Sequence, residues 1–314
     1  MEDFKPARPR RERVNRSEFL ALTAAAPFGL RATLAAPQPT ALVTCDAEAR
    51  LAVVDLGSFR AVGSIDTHPD PRAVERVGNG AVVCHTAVGL VSIVSRHGVR
   101  HVLRGLVEPR YAVAHPDGRH AFVTDSGRSS VSAIDVVDGR ILGRVALPGW
   151  ARHLTIDRSG RRLWVSLGSA SERVAVVETR TLRHTATLSP GFGAHDVGVA
   201  PDGRLWVTAG AARRLAVGGV SRAADAAPQH VTFGRGVAFV TSGDDGLLRV
   251  QDLAGRLLRT TPIPVGSYNV QSGFGRVLTA SLSKGTLTVL DRRGALLARI
   301  DVARSCHDAC FLAP

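Results

Sequence analysis

The chain repeats one short pattern seven times: three mostly apolar residues, a small residue, a variable gap and a second apolar run. The first residues of successive copies lie 40, 40, 42, 42, 33 and 39 positions apart. A period near forty residues, built from short strands, is typical of the blades of a β-propeller. The copies occupy residues 41–44, 81–84, 121–124, 163–166, 205–208, 238–241 and 277–280.

One repeat shows the blade most clearly. Segments 110–115, 120–125, 131–135 and 140–147 alternate in character, and Pro-Asp-Gly and Asp-Gly turns separate the first pair and the last pair. Each blade is therefore predicted to contain four antiparallel strands. The predicted fold class is all-β, a seven-bladed β-propeller that forms a single domain over residues 40–314.

The two ends of this domain predict how the ring closes. The repeats begin inside a blade, at a second strand, and finish with a first strand over 307–314 that has no successor. Pairing these strands completes one shared blade and removes two exposed edges. The predicted register places residue 307 opposite Cys45, so a Cys45–Cys306 disulfide is expected to lock the ring. A metal cluster of Cys306, His307 and Cys310 is the alternative.

Residues 1–36 have the pattern of an export signal. Five arginines lie between positions 8 and 16, an apolar stretch covers 19–30, and small residues follow. The segment resembles a twin-arginine signal in which Ser17 stands where the second arginine belongs. The apolar stretch is too short and interrupted for a transmembrane segment. We expect an extracytoplasmic protein, secreted or in the cell envelope; a disordered basic tail is the alternative.

The charge does not point to nucleic acid. The chain has 40 basic and 27 acidic residues, a net charge of +13, but the arginines are spread along the chain and often lie at turns. Aromatic residues make up 5% of the sequence, so stacking platforms for bases are scarce. No groove-reading motif accompanies the charge. We expect no nucleic-acid partner, and we expect a monomer.

The residues that lead into each innermost strand form the best candidate site, because they open onto one end of the central channel. Nearly all are polar, although the strands that follow are apolar. The first positions are Arg72, Arg110, Arg152, His195, Gln229, Tyr268 and His307, and the second positions are Ala73, Tyr111, His153, Asp196, His230, Asn269 and Asp308.

Two kinds of chemistry fit these residues. Three arginines from adjacent blades suit a carboxylate or phosphate, which guanidinium groups bind through paired hydrogen bonds. A histidine beside a carboxylate suits a general base or a metal ligand. The candidate ligand-binding residues are Arg72, Arg110, Tyr111, Arg152, His153, His195, His230, Tyr268, Asn269 and His307. If the protein is an enzyme, the candidate catalytic residues are His195, Asp196, His307 and Asp308.

Two tetrapeptides resemble those of the YVTN-repeat family of seven-bladed propellers. They are Phe122-Val123-Thr124-Asp125 and Phe239-Val240-Thr241-Ser242, and the first is followed by a Val-Ser-x-Ile-Asp strand; a Pro-Asp-Gly turn precedes it. The resemblance covers roughly residues 40–314, although the tetrapeptide's asparagine is missing throughout. It implies the seven-bladed architecture and leaves the function open.

Three functions remain open at this stage. The favoured one is an exported, non-catalytic propeller that binds a small anionic ligand or a protein partner at the channel mouth. The alternatives are a lyase or hydrolase that uses a His–Asp pair at the mouth, and a structural scaffold for protein interactions. No cofactor is expected; a divalent metal is the alternative.

Overall fold

Seven four-stranded antiparallel sheets make up the described part of the chain, and each sheet is one blade. The computed structural model describes residues 38–313, so the export signal predicted over 1–36 lies outside the described residues. Within residues 38–313, no helix has the length and apolar character needed to cross a membrane.

The strands follow the predicted order, innermost to outermost, in every blade. Blade 1 contains β1 (Thr40–Cys45), β2 (Arg50–Asp55), β3 (Arg60–Asp66) and, as its innermost strand, β28 (Ala309–Leu312). Blade 2 contains β4 (Pro71–Val77), β5 (Gly80–His85), β6 (Leu90–Ser95) and β7 (Gly98–Leu103). Blade 3 contains β8 (Pro109–Ala114), β9 (His120–Asp125), β10 (Ser130–Asp135) and β11 (Arg140–Ala146). Blade 4 contains β12 (Leu154–Ile156), β13 (Arg162–Ser166), β14 (Val174–Glu178) and β15 (Arg183–Leu188).

The remaining blades have the same arrangement. Blade 5 contains β16 (Asp196–Val199), β17 (Leu205–Ala209), β18 (Arg214–Val217) and β19 (Val220–Ala223). Blade 6 contains β20 (Val231–Phe233), β21 (Val237–Ser242), β22 (Leu247–Asp252) and β23 (Leu257–Pro262). Blade 7 contains β24 (Gln271–Gly273), β25 (Arg276–Ser281), β26 (Thr286–Asp291) and β27 (Leu296–Asp301). Short 3₁₀ turns link the second and third strands of blades 1 to 3, at Asp46–Glu48, Thr86–Val88 and Ser126–Arg128.

Burial explains the repeated apolar pattern. Middle strands are covered on both faces by the neighbouring blades, and five of the six residues of β5, including the apolar run 81–84, are buried. Outermost strands lie at the rim, and all six residues of β15 are exposed. Strands buried on both faces read as continuous apolar runs, whereas rim strands tolerate charge. This is why the apolar triplets at the second strand are the clearest repeat signal.

The two ends of the propeller pair as predicted. Strand β28 lies beside β1, with Leu42 opposite Cys310 and Val43 opposite Ala309. Beyond this ladder, the Thr44 amide donates to the Asp308 carbonyl at 2.9 Å. The same register places Cys45 opposite His307, as the sequence predicted. The prediction of a seven-bladed propeller closed by its terminal strands is confirmed.

The predicted Cys45–Cys306 disulfide is not present, and this is a correction. All four cysteines, Cys45, Cys84, Cys306 and Cys310, are buried free thiols. The neighbouring Cys306 thiol lowers the pKa of Cys45, whereas the Cys45 thiol together with burial raises the pKa of Cys306. The residue opposite Cys45 is His307, so Cys306 lies one position out of register. Its thiol is therefore a neighbour of Cys45 without a covalent disulfide bond.

The shorter fifth repeat has a structural explanation. Its last two strands have four residues each, and a two-residue turn of Gly218 and Gly219 joins them. Both glycines have positive φ, +57° and +85°, which a tight hairpin turn of this kind requires. The other six blades have a β-bulge between their third and fourth strands, and blade 5 has none.

The acid that ends the third strand of most repeats caps a turn. In blade 3, Asp135 Oδ1 accepts from the Val137 and Asp138 amides at 2.9 and 3.1 Å. Its Oδ2 accepts from the Arg119 guanidinium at 2.9 and 2.7 Å. A carboxylate that bonds the amides two and three residues ahead stabilises a turn locally. The recurring acids of the repeat are therefore part of the scaffold.

Candidate functional site

The predicted polar ring lies in two tiers at one end of the channel. The upper tier consists of the first mouth positions, most of which are partly exposed: Arg72, Arg110, Arg152, His195, Gln229, Tyr268 and His307. The lower tier consists of the second positions, of which all but Tyr111 are buried: Ala73, Tyr111, His153, Asp196, His230, Asn269 and Asp308. Beneath the upper tier lies a cavity of about 290 Å³, lined by residues from all seven blades.

The small polar residue of the repeat holds this end of the channel in place. In blade 3, Thr124 Oγ1 accepts from the Tyr111 amide at 3.1 Å and donates to the Arg152 carbonyl of the next blade at 2.7 Å. In blade 4, Ser166 Oγ accepts from the His153 amide and donates to the His195 carbonyl, both at 3.1 Å. We call these contacts the hydroxyl bridges.

The bridges continue in blades 5 and 6. Thr208 accepts from the Asp196 amide and donates to the Gln229 carbonyl, and Thr241 links the His230 amide to the Tyr268 carbonyl. Each hydroxyl thus connects its own blade's lower tier to the next blade's upper tier. The repeated threonine or serine sets the main chain of the site.

Two of the three predicted arginines meet at one indole ring, and the charge of the third, Arg72, acts on Arg152. The guanidinium groups of Arg110 and Arg152 both lie over the Trp150 indole, with Cζ 4.9 and 5.6 Å from the ring centroid. Burial and the nearby positive charges of Arg110 and Arg72 lower the pKa of Arg152. We call Arg72, Arg110 and Arg152 the arginine face. Stacking on an indole orients a guanidinium and leaves its edge free to donate.

The arginine face has an excess of positive charge. Arg110 pairs with Glu108, and Arg72 is 4.0 Å from Asp70. Arg152 has no carboxylate within 4.0 Å among residues 38–313; its Nη1 donates to Ser169 Oγ at 2.5 Å. The Nε atoms of Arg110 and Arg152 are buried and have no hydrogen-bond partner among the described residues. Unpaired donors on partly buried cations favour an anion.

Three histidines form a compact cluster beside the arginine face. The ring centroids of His153 and His195 are 5.0 Å apart, those of His153 and His230 are 4.4 Å apart, and those of His195 and His230 are 5.3 Å apart. The Tyr111 ring packs against His153 with ring centroids 4.0 Å apart and an interplanar angle of 41°. We call His153, His195 and His230 the histidine cluster.

The cluster is neutral. Burial lowers the pKa of His195 to about 3 and takes those of His153 and His230 well below their usual range, and the Arg152 charge lowers all three further. A neutral imidazole has one nitrogen that donates and one that has a free lone pair. Each ring therefore offers a lone pair within the site.

The neighbouring His–Asp pairs do not bond to each other through their side chains. The Asp196 carboxylate accepts from the Val197 amide at 2.8 Å and from the Val231 amide of the next blade at 3.0 Å. Asp308 makes the equivalent bonds to Ala309 and Val74. Burial raises the pKa of both aspartates to about 7. These carboxylates join adjacent blades beside the cavity.

The other predicted residues divide between the channel and its rim. His307 Nδ1 bonds the Arg72 carbonyl at 2.7 Å, and Asn269 donates to the His307 carbonyl at 3.1 Å. Burial lowers the pKa of His307 to about 3, and the three arginines contribute. Tyr268 turns outward, and its hydroxyl donates to Asp244 at 3.0 Å.

Four residues around the site were missed by the sequence analysis. Trp150 and Ser169 position the arginines from loops, and Glu75 and Gln271 line the cavity below. Gln271 donates to Glu75 at 3.0 Å, and burial with the nearby Asp308 charge raises the pKa of Glu75 to about 8. The available signals were a tryptophan two residues before Arg152 and an acid within the innermost strand β4.

Comparison with known proteins shows the fold alone. No family model matches the chain, and no curated protein matches its sequence. A chain of Kuenenia stuttgartiensis hydrazine synthase is similar with a TM-score of 0.71 and 15% identity, covering 84% of this chain and 98% of its own. A functionally unknown protein from Desulfotomaculum acetoxidans has a TM-score of 0.72 and 11% identity, over 88% and 99%.

A third similar structure is an enzyme. Virginiamycin B lyase from Staphylococcus aureus has a TM-score of 0.62 and 12% identity, and the match covers 72% of this chain and 83% of that one. These similarities confirm the propeller. Membership of the YVTN-repeat family stays a prediction from the repeat residues.

Proposed function

We propose that the protein binds a small anion, a carboxylate or a phosphate, at the channel mouth. The observation that carries the proposal is the Arg152 guanidinium, which is partly buried, lies near two other arginines and has no carboxylate partner among the described residues. Such a group is stabilised by a ligand that accepts its remaining hydrogen bonds. The neutral histidines beside it add no competing negative charge.

The arrangement suits a small ligand better than an extended one. The cavity below the upper tier is about 290 Å³, near the lower limit of known ligand pockets. Trp150 fixes two of the arginines, so little side-chain entropy is lost when an anion binds. A carboxylate or phosphate group in the mouth would face donors from three adjacent blades.

The test is a binding titration with defined anions. Protein freed of metals on a chelating resin is titrated with sulfate, phosphate, oxalate and citrate, and heat and melting temperature are followed. Charge-assisted hydrogen bonds contribute about 1.5–3 kcal/mol each, so Arg152→Met is expected to weaken binding roughly 10- to 100-fold. The matched control is Arg183→Met, which removes the same charge from the exposed strand β15.

The proposal fails if no anion binds to the wild-type protein, or if Arg152→Met and Arg183→Met bind equally well. Complete absence of anion binding would favour the structural scaffold or a protein partner at the mouth. Retained affinity in Arg152→Met would move the anion site away from the arginine face.

The enzyme alternative rests on the same mouth and draws less support from its contacts. The closest His–Asp approach there is between His230 Nδ1 and Asp196 Oδ2, 3.7 Å apart and from adjacent blades. The Asp196 carboxylate already accepts hydrogen bonds from two backbone amides. It therefore positions two strands in addition to lying near the His230 imidazole. The likeness to a lyase is one of fold.

We also propose that the chain is exported. The support is the arginine-rich segment followed by an apolar stretch and small residues within positions 1–36. Cell fractionation of the full chain and of a variant that lacks residues 2–36 tests this. The full chain is expected outside the cytoplasm and the shortened one inside it; the same location for both would contradict export.

A further inference from the structure

The histidine cluster has the ligand geometry of a metal centre. One nitrogen from each of His153, His195 and His230 lies within 4.8 Å of those of the other two rings. Around a tetrahedral zinc ion with Zn–N distances of about 2.0–2.1 Å, neighbouring nitrogens are roughly 3.3 Å apart. Small rotations of the rings would bring three lone pairs onto one point.

The opposite nitrogen of each ring has a partner or a nearby acceptor. His153 Nδ1 is 2.5 Å from the His195 carbonyl, and His195 Nδ1 is 3.2 Å from Ser169 Oγ. His230 Nδ1 is 3.7 Å from Asp196 Oδ2. Ligating histidines commonly hold their second nitrogen in this way, against a carbonyl, a hydroxyl or a carboxylate. None of the three Nε2 atoms has a hydrogen-bond partner within residues 38–313.

One of these atoms is a buried nitrogen without a partner. His153 is 2% exposed, and its Nε2 is buried with no hydrogen-bond partner among the described residues. Packing alone would not favour this arrangement, because an unpaired buried polar atom is destabilising. A cation held by three lone pairs satisfies it.

We propose that His153, His195 and His230 bind one divalent transition-metal ion through their Nε2 atoms. Three imidazoles suit zinc, copper, nickel or iron and do not suit calcium or magnesium. Three protein ligands leave at least one coordination position open, which is the pattern of metal sites that bind further ligands. The cavity lined by His153 and His230 gives that position room.

The charges around the histidine cluster have opposing effects on the binding of a metal cation. Arg152 lies close enough to influence all three histidines, and its charge disfavours a cation. The Asp196 carboxylate beside His230 favours one. This inference does not depend on the anion site, because the metal is tested with the arginines intact and without a multivalent anion.

Cobalt is the probe, because its visible absorption reports coordination by imidazole nitrogens. Metal-free full-length protein is titrated with Co²⁺, and Zn²⁺ is then added to displace it. We expect one Co²⁺ per chain with absorption bands of a four- or five-coordinate ion, lost on addition of Zn²⁺. His195→Gln, at the most exposed ligand, is expected to weaken binding more than about 100-fold, beyond the usual effect of an outer contact.

A second cluster supplies the matched control. His115, Asp117 and His120 also lie within 4.8 Å of one another, but on an exposed turn. There the Asp117 carboxylate already bonds His120 Nδ1 at 2.6 Å and two backbone amides. The double variant His115→Gln/His120→Gln is expected to keep the Co²⁺ spectrum and affinity of the wild type.

A milder variant protects the test against misfolding. Ser169→Ala removes the partner of His195 Nδ1 and an acceptor of Arg152 Nη1. It is expected to weaken Co²⁺ binding about 10- to 100-fold, while the metal-free protein keeps a cooperative unfolding transition. Loss of the spectrum in the double variant, its retention in His195→Gln, or no binding by the wild type would each overturn the proposal. In the last case a bound water would satisfy His153.

Discussion

Substituting Phe311 by alanine tests whether the seam between blades 1 and 7 holds the ring closed. Phe311 lies on β28, is 3% exposed and belongs to the apolar cluster that contains Val43 of blade 1 and Leu278 of blade 7. Its ring lies 5.7 Å from that of Phe274. Truncating a buried phenylalanine to alanine costs about 3–5 kcal/mol. For a domain of this size each kcal/mol lowers the melting temperature by about 2 °C, so we expect a decrease of about 6–10 °C.

The assay is thermal and urea unfolding beside a control on the rim. Leu297 on β27 is 46% exposed, and Leu297→Ala is expected to change the free energy of unfolding by less than about 0.5 kcal/mol. If Phe311→Ala melts within the range of this control, the seam does not stabilise the ring. Truncation after Arg304 removes all of β28 and is expected to abolish the cooperative transition; an unchanged melting curve would refute closure outright.

Three further predictions concern the scaffold and the cavity. Asp135→Asn removes the charge from a carboxylate that caps a turn and pairs with a guanidinium, and is expected to cost about 1–3 kcal/mol by urea unfolding; an unchanged midpoint would contradict the capping role. Glu75 has a pKa raised by burial to about 8, so the unfolded chain ionises first and the native state loses stability as pH rises between 4.5 and 8. Glu75→Gln is therefore expected to flatten the decrease in stability between about pH 5 and 8, and parallel profiles for the two proteins would contradict it. Gly285 has a φ of +63°, and an added Cβ would lie 1.7 Å from the Ala303 carbonyl oxygen, so Gly285→Ala is expected to cost at least about 2 kcal/mol. The control Gly275→Ala, with a φ of +73° and open space around it, should cost less; equal melting temperatures would rule out the clash.

The fold could be predicted because the burial of each strand determines which of its residues are apolar, and this pattern recurs in every repeat. The middle residues of strands such as β9, covered on both faces, are apolar, and the turn at Gly118 needs a residue with positive φ. These requirements are local to each blade, so the same residue types recur in the sequence at the spacing of the blades. The pairing of the chain ends followed from counting strands, which is why the register of Cys45 opposite 307 could be predicted as well.

The site could be predicted only in part, because its contacts join residues from different blades. The alignment of repeats identified the two tiers but not which side chains meet. Successive residues of an extended strand point in opposite directions, so the side chains of His195 and Asp196 have different partners. Trp150 and Ser169 lie in loops whose positions depend on tertiary packing, and neither residue is part of the repeated strand pattern.

The hydroxyl bridges have a consequence for how such a mouth can change. They contact only backbone amides and carbonyls, so they hold the main chain of both tiers whatever side chain is present. The same main-chain arrangement can therefore have Arg152 in one blade and His195 in the next, with the hydroxyl bridges unchanged. A protein built in this way can acquire a new specificity through single substitutions at the mouth, and the same positions are the natural ones to vary in a designed library.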